Sequence, residues 1–252
     1  MKLAATLIFL LVFGSLVFGA ADELITKGDA AYDNNDNKTA LVHYTAALEQ
    51  DPQNCDAAWK ISRAYADIGD DKTSKEERIA HFNKANEFAQ KAISLCPEND
   101  NAHLYLSISI GRVALMAGKK KQVQLSQTIK DEAEKAIELN PENAVAHHVY
   151  ARWHRKVATL SGVAKAFAKV LYGGLPPASL EQAVAHLQKS VDLDPDNVNN
   201  RLELGITFET MKNWQSAKQS YEKAIALPAT KHKDGTYQAE AKKRLKKVSS
   251  KI

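Results

Sequence analysis

Along most of the chain, apolar residues recur at intervals of three and four. Little alternates with period two, so the pattern predicts helices and almost no sheet. Two stretches show how the helices pair. In "GDAAYDNNDNKTALVHYTAALEQDP", Gly28 is followed twelve residues later by Ala40, then by Tyr44 and Ala47. In "GITFETMKNWQSAKQSYEKAIALP", Gly205 is followed by Ala217, Tyr221 and Ala224 at the same intervals of 12, 4 and 3. The small residues let two helices approach, and each Tyr fills the space between them. Helix stops recur as well. "ALEQDP", "AISLCP", "AIELNP", "SVDLDP" and "AIALP" end at Pro52, Pro97, Pro141, Pro195 and Pro228, where a proline cannot continue the helix. Ser74 with Glu77, and Ser179 with Gln182, have capping-box spacing and predict new helix starts.

The paired spacings and the closing prolines resemble the tetratricopeptide repeat, a helix–turn–helix unit of about 34 residues. The intervals between the prolines are 45, 44, 54 and 33 residues, so only the last unit is regular. The expected fold is therefore all-α, a tetratricopeptide-repeat-like α-α superhelix of about five helical hairpins with insertions. A C-terminal capping helix is expected near Asp234–Val248. Two insertions are expected between paired helices, in "GDDKTSKEER" and "AGKKKQVQLSQ". A third ends in "AKVLYGGLPPAS". There Gly173-Gly174 close an extra helix, Pro176-Pro177 force an extended link, and Ser179 caps the helix that resumes the repeat.

Composition is that of an ordinary globular protein, with 252 residues, 44% apolar and 25% charged. The N-terminus is the exception. Met1-Lys2 precedes the uncharged run Leu3–Ala21, which reads as a secretory signal peptide cleaved after Gly19 or Ala21. An uncleaved membrane anchor is the alternative, because about 20 apolar residues span a bilayer. Residues 1–21 are thus a leader or anchor, and residues 22–252 a single helical-repeat domain that is exported, periplasmic or secreted. The net charge of +4 is unevenly spread. The last 22 residues carry +6, Lys2 adds one, and the body from Ala21 to Thr230 is left at −3. The basic terminal helix can meet an acidic partner or a lipid surface, or can be simply solvated. Nucleic acid is not expected as a partner.

The irregularities form a pattern of their own. "AAWKISRAYADIGD", the long helix "ERIAHFNKANEFAQKAISLCPEND" and the closing "LPATKHKDGTYQAEAKKRL" are similar to the regulator of microtubule dynamics family. The most specific part is Ala151–Asp194, and the resemblance covers roughly Leu24–Leu245. It implies a helical-repeat interaction module, linked in eukaryotes with microtubules and organelle membranes, with no established catalytic residues. The N-terminal export signal departs from the leader or anchor of eukaryotic members.

In tetratricopeptide proteins, positions 2, 5, 9, 12 and 13 of the first helix of each unit line a concave groove. In the fourth unit these are Val145, His148, Arg152, Arg155 and Lys156. Three cations and a histidine on one face are suited to a carboxylate, a phosphate or an acidic peptide. The same positions in the first unit are Asp22, Ile25, Asp29, Tyr32 and Asp33, an acidic set. Ion pairing within the protein is the competing expectation for both ends. A chaperone-tail carboxylate clamp is not expected, since Asp29 stands where the clamp needs Asn. Leu160, Val163, Ala164, Phe167, Ala168 and Leu171 make one apolar helical stripe. It is either core or a lipid or partner-helix contact, carried in the second case by Val163, Phe167 and Leu171.

No phosphate-loop, dinucleotide, HExxH or GxSxG motif occurs, and neither catalysis nor a cofactor is expected. His147 and His154 share a helical face, but without nearby Cys or acidic ligands no metal site is expected. Cys55 and Cys96 are the only cysteines. They fall at neighbouring ends of two antiparallel helices, so a disulfide is possible in an oxidising compartment. Asn37-Lys38-Thr39 is a glycosylation sequon on a hairpin turn, relevant in a eukaryotic host.

Overall fold

The computed structural model describes residues 19–252, and of Phe167, Leu171 and Tyr172 only the backbone. Residues 1–18, most of the expected leader, lie outside the described residues. Twelve helices follow one another, with no strand among the described residues. They are α1 (residues 19–33), α2 (Asn37–Gln50), α3 (Cys55–Asp71), α4 (Lys75–Leu95), α5 (Asp100–Met116) and α6 (Lys119–Leu139). Then come α7 (Ala144–Ala158), α8 (Gly162–Tyr172), α9 (Leu180–Leu193), α10 (Val198–Thr210), α11 (Trp214–Ala226) and α12 (Asp234–Ser249). The expected C-terminal helix is α12.

The prolines are one half of a longer start–stop device. Each of Pro52, Pro97, Pro141 and Pro195 is followed two residues later by Asn, and each Asn caps the next helix. Asn54, Asn99, Asn143 and Asn197 accept, through Oδ1, the amide N–H of Ala57, Ala102, Ala146 and Asn200 at 2.9, 3.0, 3.0 and 3.1 Å. The turn itself closes by a backbone bond from each Asn N–H to the carbonyl before the proline, for example Asn54 to Asp51 at 3.0 Å. Proline supplies the preset φ of a turn, and Asn satisfies an orphan amide of the helix that follows. Ser74 and Ser179 cap α4 and α9 in the same way, accepting from Glu77 and Gln182.

The first two insertions are not loops. α3 and α4 have 17 and 21 residues, whereas α10 and α11 of the regular unit have 13 each. The twelve extra residues of the second unit are thus four in one helix and eight in the other, and the turn between them keeps its length. "GDDKTSKEER" and "AGKKKQVQLSQ" are mostly helix, a correction to the expectation that the insertions lie between the paired helices. The reason is local: Ser74 starts α4 only three residues after α3 ends, so the charged run continues as exposed helix.

The Gly–Tyr pairing holds at both predicted places. A methyl group at Gly28 would lie 2.4 Å from Tyr44 Cε1, and one at Gly205 would lie 2.4 Å from Tyr221 Cε1. Both tyrosines are fully buried. A third instance, Gly69 against Phe82 at 2.7 Å, uses the same trick within the elongated α3–α4 hairpin.

The chain divides into two compact units, one ending at Met116 and one beginning at Ala117. The division falls in the two-residue turn between α5 and α6. In the first unit Ala40, Tyr44, Ala47, Ala57, Ile61 and Ala92 form an alanine-rich core, with Leu24, Phe88 and Leu95 around it. Small side chains bring helices close enough for their backbones to pack. In the second unit one core joins α10, α11 and α12 around Val198, Leu202, Tyr221 and Val248. Another joins α7, α9 and α10 around Ala151, Leu187, Val191 and Leu204. Tyr150, Trp153 and Val157 of α7 pack with Ala133 of α6 and Leu175 of the segment after α8.

The third insertion is the extra helix α8, capped by Ser161 and ended by Gly173 in the left-handed region at φ 75°. Its apolar stripe does not pack as core along its whole length. Ala168 is fully buried, but Val163 is 81% exposed. Val170, outside the stripe, is 82% exposed. The side chains of Phe167 and Leu171 lie outside the described residues. No helix among the described residues is long and apolar enough to cross a membrane.

Candidate functional site

The four groove residues of α7 are divided by the structure. His148, Arg152 and Arg155 stand at i, i+4 and i+7, a single ridge along α7. α10 offers a matching ridge, Asn200, Glu203 and Thr207, and the two interlock. His148 Nδ1 and Asn200 Oδ1 are 2.8 Å apart. Arg155 donates to the Glu203 carbonyl and to Thr207 Oγ1, each at 3.0 Å, and forms an ion pair with the Glu203 carboxylate. Arg152 Nε lies 3.3 Å from the other Glu203 oxygen. His148 and Arg155 are buried. They are thus not open groove residues, a correction to the counting, because the ridge that carries them is the one α10 covers.

This ridge is held by charge. Burial alone would raise the Glu203 carboxyl, but Arg152 and Arg155 beside it hold it at about 2. Burial and the nearby Arg152 push His148 down to about 4, so it is neutral beside two guanidinium groups.

What remains open is Arg152, which is partly exposed, and Lys156, which is exposed. They border a hollow of about 430 Å³ between α7, α10 and α12, completed by Thr159, Thr210, Ile206 and Arg244. Arg244 is tied to Glu209 at 2.9 Å and to Glu240 at 2.7 Å. Glu209 also accepts from Tyr221 at 2.7 Å and pairs with Lys247 at 3.0 Å. Lys156 makes no ion pair among the described residues. Its ammonium is pushed below the ordinary lysine range by partial burial, then by Arg155 and Arg152, with Lys119 adding to the repulsion. The mouth of the hollow therefore holds positive charge that Glu203 leaves partly uncompensated.

Of the acidic set of the first unit, Asp29 and Tyr32 find partners within that unit. Asp29 accepts the Tyr44 hydroxyl at 2.7 Å, and Lys60 and Arg63 lie 2.5 and 3.7 Å away. Around Arg63 stands a cluster that spacing alone did not single out. Its guanidinium lies 3.5 Å from the centre of the Tyr32 ring, while Trp59 stacks on Tyr105 at 5.7 Å. Tyr32 donates to Asp67 at 3.1 Å, and burial raises both groups above their ordinary ranges.

No group of three or more potential metal ligands is arranged around His147 and His154 or elsewhere among the described residues. Each of the two histidines instead meets α9 or its cap. His147 Nδ1 lies 2.8 Å from His186 Nδ1, and His154 Nδ1 accepts the Ser179 amide at 3.3 Å. His147 Nε2 lies 2.9 Å from the Pro141 carbonyl, as His103 Nε2 lies 2.8 Å from that of Pro97. This histidine, six residues after the proline in two consecutive units, is a recurring staple that the apolar spacing does not reveal.

Cys55 and Cys96 are placed as a disulfide pair, with Cα atoms 6.2 Å apart, across the open end of the α3–α4 hairpin.

The comparisons with known proteins bear on this architecture as a whole. The sequence profile of regulator of microtubule dynamics protein 1-3 matches residues 24–249. The chain belongs to the regulator of microtubule dynamics family. Mouse regulator of microtubule dynamics protein 1 is 28% identical over 222 residues, which cover 87% of this chain and 72% of the mouse protein. The Caenorhabditis elegans protein 1 is 25% identical, with 89% of this chain and 99% of the relative covered. Human protein 2 is 25% identical over 77% of this chain but only 47% of its own length. Among solved structures, a thermophilic tetratricopeptide-repeat protein of Thermus thermophilus superposes with a TM-score of 0.64. It does so at 18% identity, over 88% of this chain and 98% of that one. The chain thus has a tetratricopeptide-like fold. The α7–α10 ridge and the hollow are described from this chain's own residues.

Proposed function

We propose that this family member is an exported, non-enzymatic helical-repeat scaffold that binds a protein, and that the hollow beside α7 takes an acidic segment of that partner. One observation carries the reading. Lys156, without an ion pair among the described residues, stands at the mouth of a hollow shared with Arg152, Arg155 and Arg244, and the internal carboxylate of Glu203 is already engaged by the two arginines. A site with surplus positive charge and two hydroxyl-bearing residues at its edge, Thr159 and Thr210, is suited to a ligand that brings carboxylates. Export rests on the sequence of residues 1–21. A further version is a membrane-anchored regulator associated with microtubules or organelles, of which the name of the family supports the microtubule part alone.

A labelled glutamate-rich peptide, titrated into the protein while anisotropy is followed, tests the site. Arg152→Ala/Lys156→Ala is expected to weaken binding at least tenfold, and affinity is expected to fall as salt rises. Equal affinity of the double variant, or equal binding of the glutamine-rich analogue, overturns the acidic-segment reading. A second reading is favoured by Val163 and Val170, which stand exposed on one side of α8, and by the exposed lysines of α12. These residues are suited to an anionic lipid surface. Sedimentation with phosphatidylserine vesicles, run beside the peptide titration, separates the two, since only the lipid reading expects the Arg152/Lys156 variant to sediment normally.

A further inference from the structure

We propose that His147, His154 and His186 form a proton-operated latch that fastens α9 to α7 at neutral pH and releases it in acid. The hydrogen-bond geometry dictates how protons are placed. His147 Nε2 faces the Pro141 carbonyl, which only accepts, so Nε2 carries the hydrogen. In neutral His147 the other nitrogen is then bare. The 2.8 Å contact between the two Nδ1 atoms therefore requires His186 Nδ1–H to donate and His147 Nδ1 to accept. His154 Nδ1 accepts from the amide of Ser179, the cap of α9, so its hydrogen is on Nε2. The rings are locked in place. His154 stacks on His186 with centroids 6.1 Å apart, and Tyr150 meets both edge-on at 4.5 and 4.8 Å.

Each added proton has a structural consequence. The His147–His186 pair takes its first added proton on His186 Nε2 and keeps its bond; a second must go to His147 Nδ1, where it meets the N–H of His186 and turns the hydrogen bond into a facing pair of donors. On His154 an added proton must also go to Nδ1, where it meets the amide of Ser179. Both contacts run from α7 to α9 or its cap, so loss of either loosens the two helices from each other. His186 can take a proton on Nε2 without losing its bond, but its ring then lies charged against two further imidazoles.

The surroundings do not offset this. From α6, Glu134 favours a charged His154, but it is already engaged by Lys130 and by the Tyr150 hydroxyl at 2.5 Å, with Asp131 beside that hydroxyl. From α9, Lys189 opposes charge on His147. Burial is the first cause in all three histidines and holds each below the ordinary imidazole range, His186 at about 4. His147 and His154 are buried, whereas His186 is half-buried and open to solvent protons.

The sign is that of a base kept neutral by folding. The latch is complete above about pH 6.5, the value of a free imidazole, and weakens as pH falls toward 4. A histidine held at about 4 makes the open form roughly twenty-fold more populated at pH 5 than at pH 7.

Hydrogen exchange of the full chain at pH 7 and pH 5, corrected for chemical exchange, is the test, together with NMR titration of the three imidazoles. The expected result is a loss of protection of at least tenfold in α9 and in the segment 173–179, with α3 as the reference. His186→Gln keeps a neutral donor toward His147, removes one of the three titrating rings, and is expected to reduce the pH dependence, the His154–Ser179 contact retaining the rest. Equal protection of α9 at both pH values overturns the latch. So do three histidines titrating near 6.5, or a Gln variant as pH-sensitive as the wild type. The wild-type titration decides the matter if the variant fails to fold.

Discussion

At the scale of single residues, two glycines of the same helical type carry opposite predictions. Gly205 lies under a fully buried tyrosine, and the ring of Tyr221 would meet an added methyl at 2.4 Å. Alanine at this place gains about 1 kcal/mol of helix propensity but overpacks a core, which costs about 1–3 kcal/mol. Since Tyr221 is also tethered to Glu209 at 2.7 Å, the ring has little freedom to yield. Gly205→Ala is therefore expected to lower stability. Gly111 of α5 has open space around it, so Gly111→Ala is expected to raise stability by up to about 1 kcal/mol. Urea denaturation of both variants checks the pair, and the same sign for both counts against the packing account. The Gly–Tyr contacts were legible in the sequence because they recur at fixed spacing within one hairpin. The contacts of Arg155 with Glu203 and Thr207 were not. Their partners are about 50 residues away, and no spacing rule says which ridge of α7 the tenth helix will cover.

At the scale of elements, the chain is punctuated by Pro-x-Asn rather than by proline alone. The proline could be read as a stop, but the start it introduces depends on a side-chain oxygen reaching an amide three residues on. Asn197 shows what that is worth. Its Oδ1 caps α10 through Asn200, and its Nδ2 donates to Asp194 at 2.8 Å. Asn197→Ala is expected to lower stability by about 1 kcal/mol, and Asn197→Gly by only a few tenths, because glycine restores the backbone geometry of a cap. Thermal melts of the two variants distinguish loss of the cap from loss of the Asp194 contact, which both remove. The length of the helices was the less legible part. The proline intervals place an insertion at "DDKTSKEER" between the paired helices, yet solvent-exposed helix tips need no apolar residues, and the extra residues lengthen the helices on both sides of the turn that Ser74 caps. The extra helix α8 was legible through its glycine and proline exit. Its exposure was not, since a stripe of apolar positions fixes a face but not what covers it.

At the scale of the whole molecule, the two compact units carry different sensitivities, and this makes them separable in one experiment. The first unit holds the Cys55–Cys96 pair, 41 residues apart in sequence. Closing a loop of that length stabilises by about 4 kcal/mol in the chain-entropy account. The second unit holds His148 and His186, both kept neutral near 4 by burial, and Glu203, held at about 2 by its arginines. Stability from the histidines is present above about pH 6.5 and is lost as pH falls toward 4; that from Glu203 is present above about 4.5 and is lost toward 2. Reductant at pH 7 is thus expected to loosen α3 and α4 first, while oxidised protein at pH 5 loosens α7, α9 and α10 first. Peptide-level hydrogen exchange under the two conditions reads both units at once. Two free thiols in protein prepared without reductant remove the first expectation, and equal loss in both units at pH 5 removes the second. A disulfide in the first unit is suited to an oxidising compartment, as the export proposed above requires.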